Sequence, residues 1–339
     1  MPHYHQHAGK QLHSVLKLYM PAEKLDALHT KTPWKHFLIA GRQVLLLILL
    51  PLTIYFSPNP LVWIPASILM GFVVFSFSVL LHEVIHEAVF IKARPRWSWL
   101  LGNLYATFSG LAFSQFRKWH LDHHKELGCE EQDPKRAHLS PKVNTPWYKL
   151  LYWTPALFPI YFKAAAKAKA TYPPELQQQI RKERLLGIGF HLIVLGLFLW
   201  IDPVFGLKGY IIPVFFIFPI AFSINRLGQH YVINPDNPAN WSTLMRPNRI
   251  WNFLFLYSSY HLEHHYYPAV PFYRLREVQD QLAQFFRDQQ IHTYSYGQLI
   301  RLWFADNHLP HSNPTPIFNH TDTKQQTDAT IGDTVEIGS

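Results

Sequence analysis

Long apolar runs alternate with polar segments along this chain of 339 residues. Four runs are nearly free of charge, and the second contains no charged residue over 21 positions. About 20 such residues form a helix that crosses the roughly 30 Å hydrocarbon core of a bilayer. The pattern therefore predicts four membrane-spanning helices, at residues 37–56, 61–81, 185–201 and 209–227.

The links between these runs predict how the helices pair. Residues 57–60 and 202–208 are very short links, so the runs form two helical hairpins. The first 34 residues, the 82–184 loop and everything after residue 227 then lie on one side of the membrane. Most Lys and Arg residues fall on that side, and the positive-inside rule places it in the cytosol.

Two further apolar stretches, residues 97–113 and 147–162, are long enough to raise the question of additional spans. A span at the first stretch would separate His82 from His120 across the membrane. Their Trp and Tyr content is typical of the headgroup layer. We therefore expect both stretches to lie in the interface or to re-enter the membrane.

Composition agrees with a membrane protein, since 48% of residues are hydrophobic, 16% aromatic and only 16% charged. The net charge of +9 indicates cytosolic topology and attraction to anionic membrane lipids, not nucleic-acid binding. Cys129 is the single cysteine, which excludes an intrachain disulfide and a four-cysteine iron–sulfur site. Electrons for any redox reaction must therefore come from another protein.

Histidines form three short strings, HEVIHE, HLDHH and HLEHH. Spacings of three or four place the histidines of one string on one face of a helix. Imidazole suits iron, copper, nickel and zinc, but eight imidazoles exceed the three or four ligands of a zinc site. They can hold two metals and leave positions open for dioxygen. The eight are His82, His86, His120, His123, His124, His261, His264 and His265.

The helices around these strings are predicted from continuity of pattern. The second apolar run continues into residues 79–87, so its helix should project above the bilayer and end before Pro95. Residues 249–265 read as one helix that ends at Pro268. The metal site should then lie at the mouth of the helical bundle.

The pattern HxxxH, HxxHH, HxxHH resembles that of the membrane fatty acid desaturases and their hydroxylase and carotenoid-oxygenase relatives, over residues 35–280. The resemblance implies two iron ions held by the eight histidines, and dioxygen as co-substrate. It also implies an all-α integral membrane protein, with four transmembrane helices as two hairpins and a cytosolic cap that holds the di-iron site. A ferredoxin or a b-type cytochrome, with its reductase, would supply electrons.

The resemblance also implies residues outside the three strings. Stearoyl-type desaturases have a further histidine in the region of His230, with an asparagine nearby that approaches the metal through water. His230 is therefore the ninth candidate ligand, and Asn225 the candidate asparagine. Five residues is a poor spacing for one helical face, and His230 could instead cap the end of a helix.

Carboxylates beside the strings are candidates to orient the ligands, because a metal-bound imidazole usually donates its other N–H to a carboxylate or carbonyl. Asp122 and Glu263 occupy the same position in their strings. Glu83 and Asp133 are similar cases. The alternative is that these acids offset nearby Lys and Arg residues. His191 lies inside the third apolar run, and we interpret it as structural.

Three functions fit this pattern. The strings FRKWHLDHHKELG and YHLEHHYYPAVP resemble acyl-lipid and sphingolipid desaturases most. The second function is that of a carotenoid ketolase or hydroxylase, or of a lipid hydroxylase, which would use the same site. The third is that of a metal-handling or lipid-binding membrane protein. An acyl chain would thread an apolar tunnel between the spans. We expect a desaturase domain at residues 35–308 and a disordered tail at residues 309–339.

Overall fold

A computed structural model describes residues 4–127, 129–234 and 236–311 of the chain. Helices account for the regular structure in these ranges. Strand-like pairing among the described residues is confined to an isolated bridge between Met245 and Tyr294. The all-α prediction is confirmed.

Four helices are long and apolar enough to cross a membrane. Each has 24 to 28 residues, which at 1.5 Å per residue corresponds to about 36–42 Å. This length exceeds the roughly 30 Å hydrocarbon core, so the prediction of four long apolar helices is confirmed. They are span 1 (Pro33–Phe56), span 2 (Pro60–Ile85), span 3 (Pro174–Ile201) and span 4 (Pro203–His230).

The links between consecutive spans are set by helix caps. Asn59 accepts the backbone N–H of Leu61 and precedes a proline at the first position of span 2. Asp202 accepts the backbone N–H of Phe205 and likewise precedes a proline. Such a cap followed by proline starts a helix sharply. The prediction of a link at 202–208 was wrong in length, because Asp202 alone joins spans 3 and 4.

Span 4 is irregular. Residues Leu207–Ile217 form a π-helix, with Pro213 inside it, between two α-helical ends. Span 2 packs closely against this wide segment. A Cβ atom on Gly71 would lie 2.5 Å from Ile217 Cβ and 2.7 Å from the carbonyl oxygen of Pro213. Only glycine permits this approach, which holds spans 2 and 4 together.

Neither of the two additional apolar stretches forms a helix of spanning length. The first lies in the helix Pro95–Phe108, which ends in a turn at Gly110, where φ is +69°. The second is divided between the helices Pro146–Leu151 and Leu157–Lys169. Both stretches are therefore too short and too interrupted to be spans.

Two predicted helices differ in the structure: one ends earlier than predicted, and the other is interrupted. Span 2 ends at Ile85, so His86 caps it and Glu87 turns the chain with φ of 54°. The predicted helix 249–265 was also wrong. It is interrupted at Leu256 and Tyr257, where φ is 45° and 62°. Leu256 is fully buried there, so tertiary packing outweighs the helical pattern.

Of the remaining helices, Phe113–Lys125 and Arg249–Leu254 contact span 2, and His261–Tyr266 and Tyr296–Phe304 contact span 4. The predicted tail begins at residue 309, but the backbone N–H of His311 donates to the carbonyl of Tyr231. Residues 309–311 thus belong to the folded part, and the rest of the predicted tail lies outside the described residues. The helices outside the four spans and the two additional apolar stretches are Tyr4–Tyr19, Ala22–His29, Phe113–Lys125, Pro134–Leu139, Arg249–Leu254, His261–Tyr266, Leu275–Gln281, Ala283–Asp288 and Tyr296–Phe304, with 3-10 turns at Pro238–Asn240 and Phe272–Arg274.

Candidate metal centre

Different elements carry the histidines to one place. His82 lies in the last turn of span 2 and His86 caps it. The second string lies on the helix Phe113–Lys125, and the third opens the helix His261–Tyr266. His230 is the last residue of span 4. All nine candidate histidines therefore meet at one end of the bundle.

The nine imidazoles divide into two groups, in each of which the potential ligand nitrogens lie within 4.8 Å of one another. The division follows helical spacing. In the second and third strings, the first and last histidines are four residues apart and enter one group, whereas the middle histidine enters the other group. The groups adjoin, with ring centroids of His124 and His265 4.3 Å apart. Group A is His82, His86, His120, His124 and His264, and group B is His123, His230, His261 and His265.

Hydrogen bonding does not account for the contacts in group B. His230 Nε2 lies 3.0 Å from His123 Nε2, 3.0 Å from His261 Nε2 and 3.1 Å from His265 Nε2. A neutral imidazole carries a single N–H. His230 uses it at Nδ1, which donates to the carbonyl of Trp241 over 3.1 Å. His230 Nε2 therefore offers a lone pair to its neighbours, an arrangement that suits a cation between them.

Group A has the same character. His86 Nε2 and His120 Nε2 are 2.7 Å apart, and His264 Nε2 and His124 Nε2 are 3.1 Å apart. His82 Nε2 is buried without a hydrogen-bond partner among the described residues. Nine nitrogen donors in two groups fit two metal ions of the iron, copper or zinc type.

Burial sets the protonation state of these rings. Desolvation, and then the proximity of other histidines or Lys135, lowers the pKa of the histidines outside the spans well below the ordinary value. They are therefore neutral near pH 7. Neutral imidazole is the form that binds metals.

Asp133 is the carboxylate that orients a ligand most directly. His123 Nδ1 donates to Asp133 Oδ2 over 2.8 Å, which leaves His123 Nε2 free to face group B. Asp133 Oδ1 meanwhile accepts the backbone N–H groups of Lys135 and Arg136 and starts the helix Pro134–Leu139. Desolvation raises the pKa of Asp133 to about 6.

The other candidate carboxylates differ from one another. Glu83 Oε1 lies 3.5 Å from His82 Nδ1, within reach of a ring of group A. Glu263 accepts a hydrogen bond from Gln279 and forms no hydrogen bond or ion pair with a histidine among the described residues, and desolvation raises its pKa to about 8. Asp122 instead pairs with Lys118 at the surface.

Asn225 lies one helical turn before Gln229, whose amide donates to Asn225 Oδ1 over 2.8 Å. Its own amide group donates to Ser258 Oγ over 2.6 Å. Asn225 lines the cavity described next but forms no hydrogen bond with the nine histidines among the described residues. His191 lies away from them, bonded to Tyr210 and to the carbonyl of Thr107.

A cavity of about 1200 Å³, including its open mouth, extends from the histidines between spans 2 and 4. His82, His120, His261 and His264 form one part of its wall, and aromatic side chains form much of the rest. A second cavity of about 840 Å³ between spans 3 and 4 shares Ser109, Gly110, Leu111, Phe158, Phe162 and Phe218 with it. The two cavities adjoin at these shared residues, and both are lined mainly by apolar side chains.

Two cations in the cavity wall, Lys135 and Arg226, were missed in the sequence. Lys135 Nζ lies 3.2 Å from His120 Nδ1. Desolvation, and then the charge of Arg226, lowers the pKa of Lys135 to about 7. Arg226 had a signal in the sequence, because a charged residue inside an apolar run marks a functional position. Lys135 had none.

Comparison with known proteins agrees with this site. The model of the fatty acid desaturase family matches residues 58–297. The chain is 26% identical over 293 residues to a protein of Drosophila melanogaster named sphingolipid delta(4)-desaturase DES1, covering 82% of this chain and 83% of that protein. It is also 26% identical over 227 residues to the Homo sapiens sphingolipid delta(4)-desaturase/C4-monooxygenase DES2, covering 60% and 61%. An Oryza sativa subsp. japonica protein named sphingolipid delta(4)-desaturase DES1-like is 25% identical over 241 residues, covering 67% and 65%.

The family match covers spans 2, 3 and 4 and all three histidine strings. The predicted resemblance is therefore confirmed, and the histidine clusters and apolar helices are those of a membrane-bound oxidoreductase. The chain belongs to the fatty acid desaturase family.

Proposed function

We propose that this protein is an oxygen-dependent lipid desaturase of the membrane, which holds two iron ions and introduces a double bond into an alkyl chain. The observation that carries the proposal is the division of nine buried or partly buried histidines into two nitrogen-donor groups beside an apolar cavity. A single structural metal would need three or four of these ligands. The family match favours iron over copper or zinc.

Group A would hold one iron and group B the other, through the nitrogens that face each other in each group. The pair, when bound, supplies the activation of dioxygen and the removal of hydrogen from an unactivated methylene. His123 and His230 are held in the metal-binding tautomer by Asp133 and by the carbonyl of Trp241. This support fixes ligand direction before metal binds.

The cavity would position the lipid and exclude water. Phe75, Phe218 and Phe222 line it beside His261 and the other histidines. An alkyl chain along this wall would bring its methylenes near the metal ligands, where position decides between a second hydrogen removal and oxygen insertion. The cavity is continuous with the space between spans 3 and 4, which can take the rest of the chain.

The orientation and partners are part of the proposal. The last turn of span 2 carries His82, and span 4 ends at His230, both on the side opposite the short links. Because basic residues concentrate there, we place the site, the N-terminal segment and the C-terminal segment in the cytosol. A ferredoxin or a b-type cytochrome with its reductase would deliver electrons. The desaturase domain would comprise residues 35–308.

Hydroxylation is the second candidate reaction. The human relative is named as both a desaturase and a C4-monooxygenase, so a related site is associated with both outcomes. The relatives named as sphingolipid enzymes also favour a lipid substrate over a carotenoid. We therefore place lipid desaturation first, lipid hydroxylation second and carotenoid oxidation third.

Lipid and pigment profiling of cells that express the chain with an electron donor would test this order. We expect new double bonds, located by mass spectrometry, that are absent with His124→Ala. The alanine variant should keep the helices, as judged by circular dichroism. Hydroxylated lipids without new double bonds would support the second candidate, and oxygenated carotenoids with unchanged lipids the third. Activity that survives in His124→Ala would contradict the metal assignment.

A further inference from the structure

One side of span 4 carries aromatic side chains, then a cation and then a candidate metal ligand, in that order along the helix. Phe218, Phe222, Arg226 and His230 follow one another at four-residue intervals, and the first three line the same cavity. At 1.5 Å per residue, Arg226 stands about 6 Å along the helix from Phe222 and about 6 Å from His230. A cation therefore separates the aromatic part of the cavity from a metal-ligand candidate.

Lys135 lies on the same cavity wall from another element. It follows Pro134 in the helix Pro134–Leu139, and its Nζ is 3.2 Å from His120 Nδ1. Lys135 and Arg226 also line a small pocket with His123, His230 and Asp133. Two positive side chains from separate elements thus converge beside the histidines.

Neither cation has an ion-pair partner within 4 Å among the described residues. The carboxylate of Asp133 already accepts hydrogen bonds from His123 Nδ1 and from backbone N–H groups. Glu83, the carboxylate on the cavity wall, accepts the backbone N–H of Phe272. Asp133 acts electrostatically on both side chains, but neither forms a direct ion pair with it, and a buried charge that lacks a direct ion pair is costly. Its retention beside a ligand cavity indicates that the ligand supplies the acceptor.

We propose that Lys135 and Arg226 bind the oxygen-bearing polar end of the lipid substrate. The substrate class is then a lipid whose reacting carbons lie within a few bonds of hydrogen-bond-accepting oxygens, such as hydroxyl, amide or carboxylate oxygens. Its alkyl chain runs past Phe222 and Phe218 toward the space between spans 3 and 4. This inference rests on the proposed lipid function and specifies which end of the lipid binds beside the metal ligands.

The orientation has a chemical consequence. Because the cations lie next to His120 and one turn from His230, the polar end and the metal ligands share one end of the cavity. The methylenes that reach the metals are then those close to the polar end. A lipid whose reacting carbons lie in the middle of a long acyl chain would have to place its polar end elsewhere.

Binding measurements with the purified, iron-loaded full chain in detergent test the proposal. The probes are a dihydroceramide, which carries hydroxyl and amide oxygens, stearate, which carries a carboxylate, and octadecane, which carries no oxygen. Charge-assisted hydrogen bonds are worth enough to change affinity about ten-fold or more. We expect Arg226→Met and Lys135→Met each to weaken the preferred oxygenated probe by about that factor, with octadecane binding unchanged.

The two oxygenated probes distinguish the source of the acceptor, since preference for stearate identifies a carboxylate and preference for dihydroceramide identifies uncharged oxygens. Lys118→Met is the matched control, because Lys118 pairs with Asp122 at the surface and does not line the cavity. It should bind every probe as the wild type does. Iron content is measured on each sample, so that a change in probe affinity is separated from a loss of metal.

Oxygenated probes that bind both variants as tightly as wild type would overturn the proposal. If a variant does not fold, the wild type decides, because oxygenated probes that bind no more tightly than octadecane also overturn it. The proposed function fails separately, when the wild type holds no iron and forms no double bonds or hydroxyl groups in lipids. New double bonds far from the polar end, with unaffected variants, would refute only this inference.

Discussion

Replacement of Asp133 by asparagine should weaken one metal position and spare the other. Asn is nearly isosteric, and its carbonyl oxygen can still accept the N–H groups of Lys135 and Arg136. Its NH₂ group would then face His123 Nδ1, which lies 2.8 Å from the present carboxylate. Two donors cannot share this contact. His123 must move its proton to Nε2, the nitrogen that faces group B.

The size of the effect follows from this tautomer change. Loss of a carboxylate that supports a metal-bound histidine typically costs 10–100-fold in metal affinity, or about 1.4–2.8 kcal/mol. His123 belongs to group B alone. We therefore expect Asp133→Asn to release one of two irons at a correspondingly lower chelator strength, with the second iron unchanged.

Iron per chain, measured by mass spectrometry after equilibration with graded chelator, is the assay. Asp122→Asn provides the control, because Asp122 stands beside the second histidine string but pairs with Lys118. This variant should release iron as wild type does. Retention of both irons by Asp133→Asn, or their simultaneous loss in one step, would refute the reasoning.

Two further substitutions test structural roles. His191→Ala removes the hydrogen bond to Tyr210 and leaves partners unsatisfied, so we expect a loss of about 1–3 kcal/mol in stability with unchanged iron content; loss of iron would contradict the structural role. Gly71→Ala places a Cβ 2.5 Å from Ile217 Cβ, so thermal denaturation should show a cost of about 1–3 kcal/mol. Unchanged stability there would mean that spans 2 and 4 separate easily.

Much of the fold could be predicted because apolar length and helix caps are local signals. The four apolar runs lie within four long helices, and Asn59 and Asp202 start two of them. The break at Leu256 and Tyr257 carried no local signal. Neither residue is glycine or proline, and their left-handed conformation depends on burial of Leu256 against distant elements.

The candidate site was predicted as a set but not as an arrangement. Spacing identified the eight string histidines, and the family resemblance added His230. The division into groups A and B depends on where four separate elements meet, which spacing within one string does not give. The sequence offered Asp133 as one of several candidate carboxylates. Its contact with His123, and that of Lys135 with His120, emerged only when the segment after the second string was folded back onto these rings.

Metal analysis of the purified full chain tests the central claim most directly. The account predicts two irons per wild-type chain, with nitrogen ligation in X-ray absorption spectra. His264→Ala should remove iron from group A, and His265→Ala should remove it from group B. A wild-type chain that binds one metal, or that binds zinc in place of iron, would contradict the account.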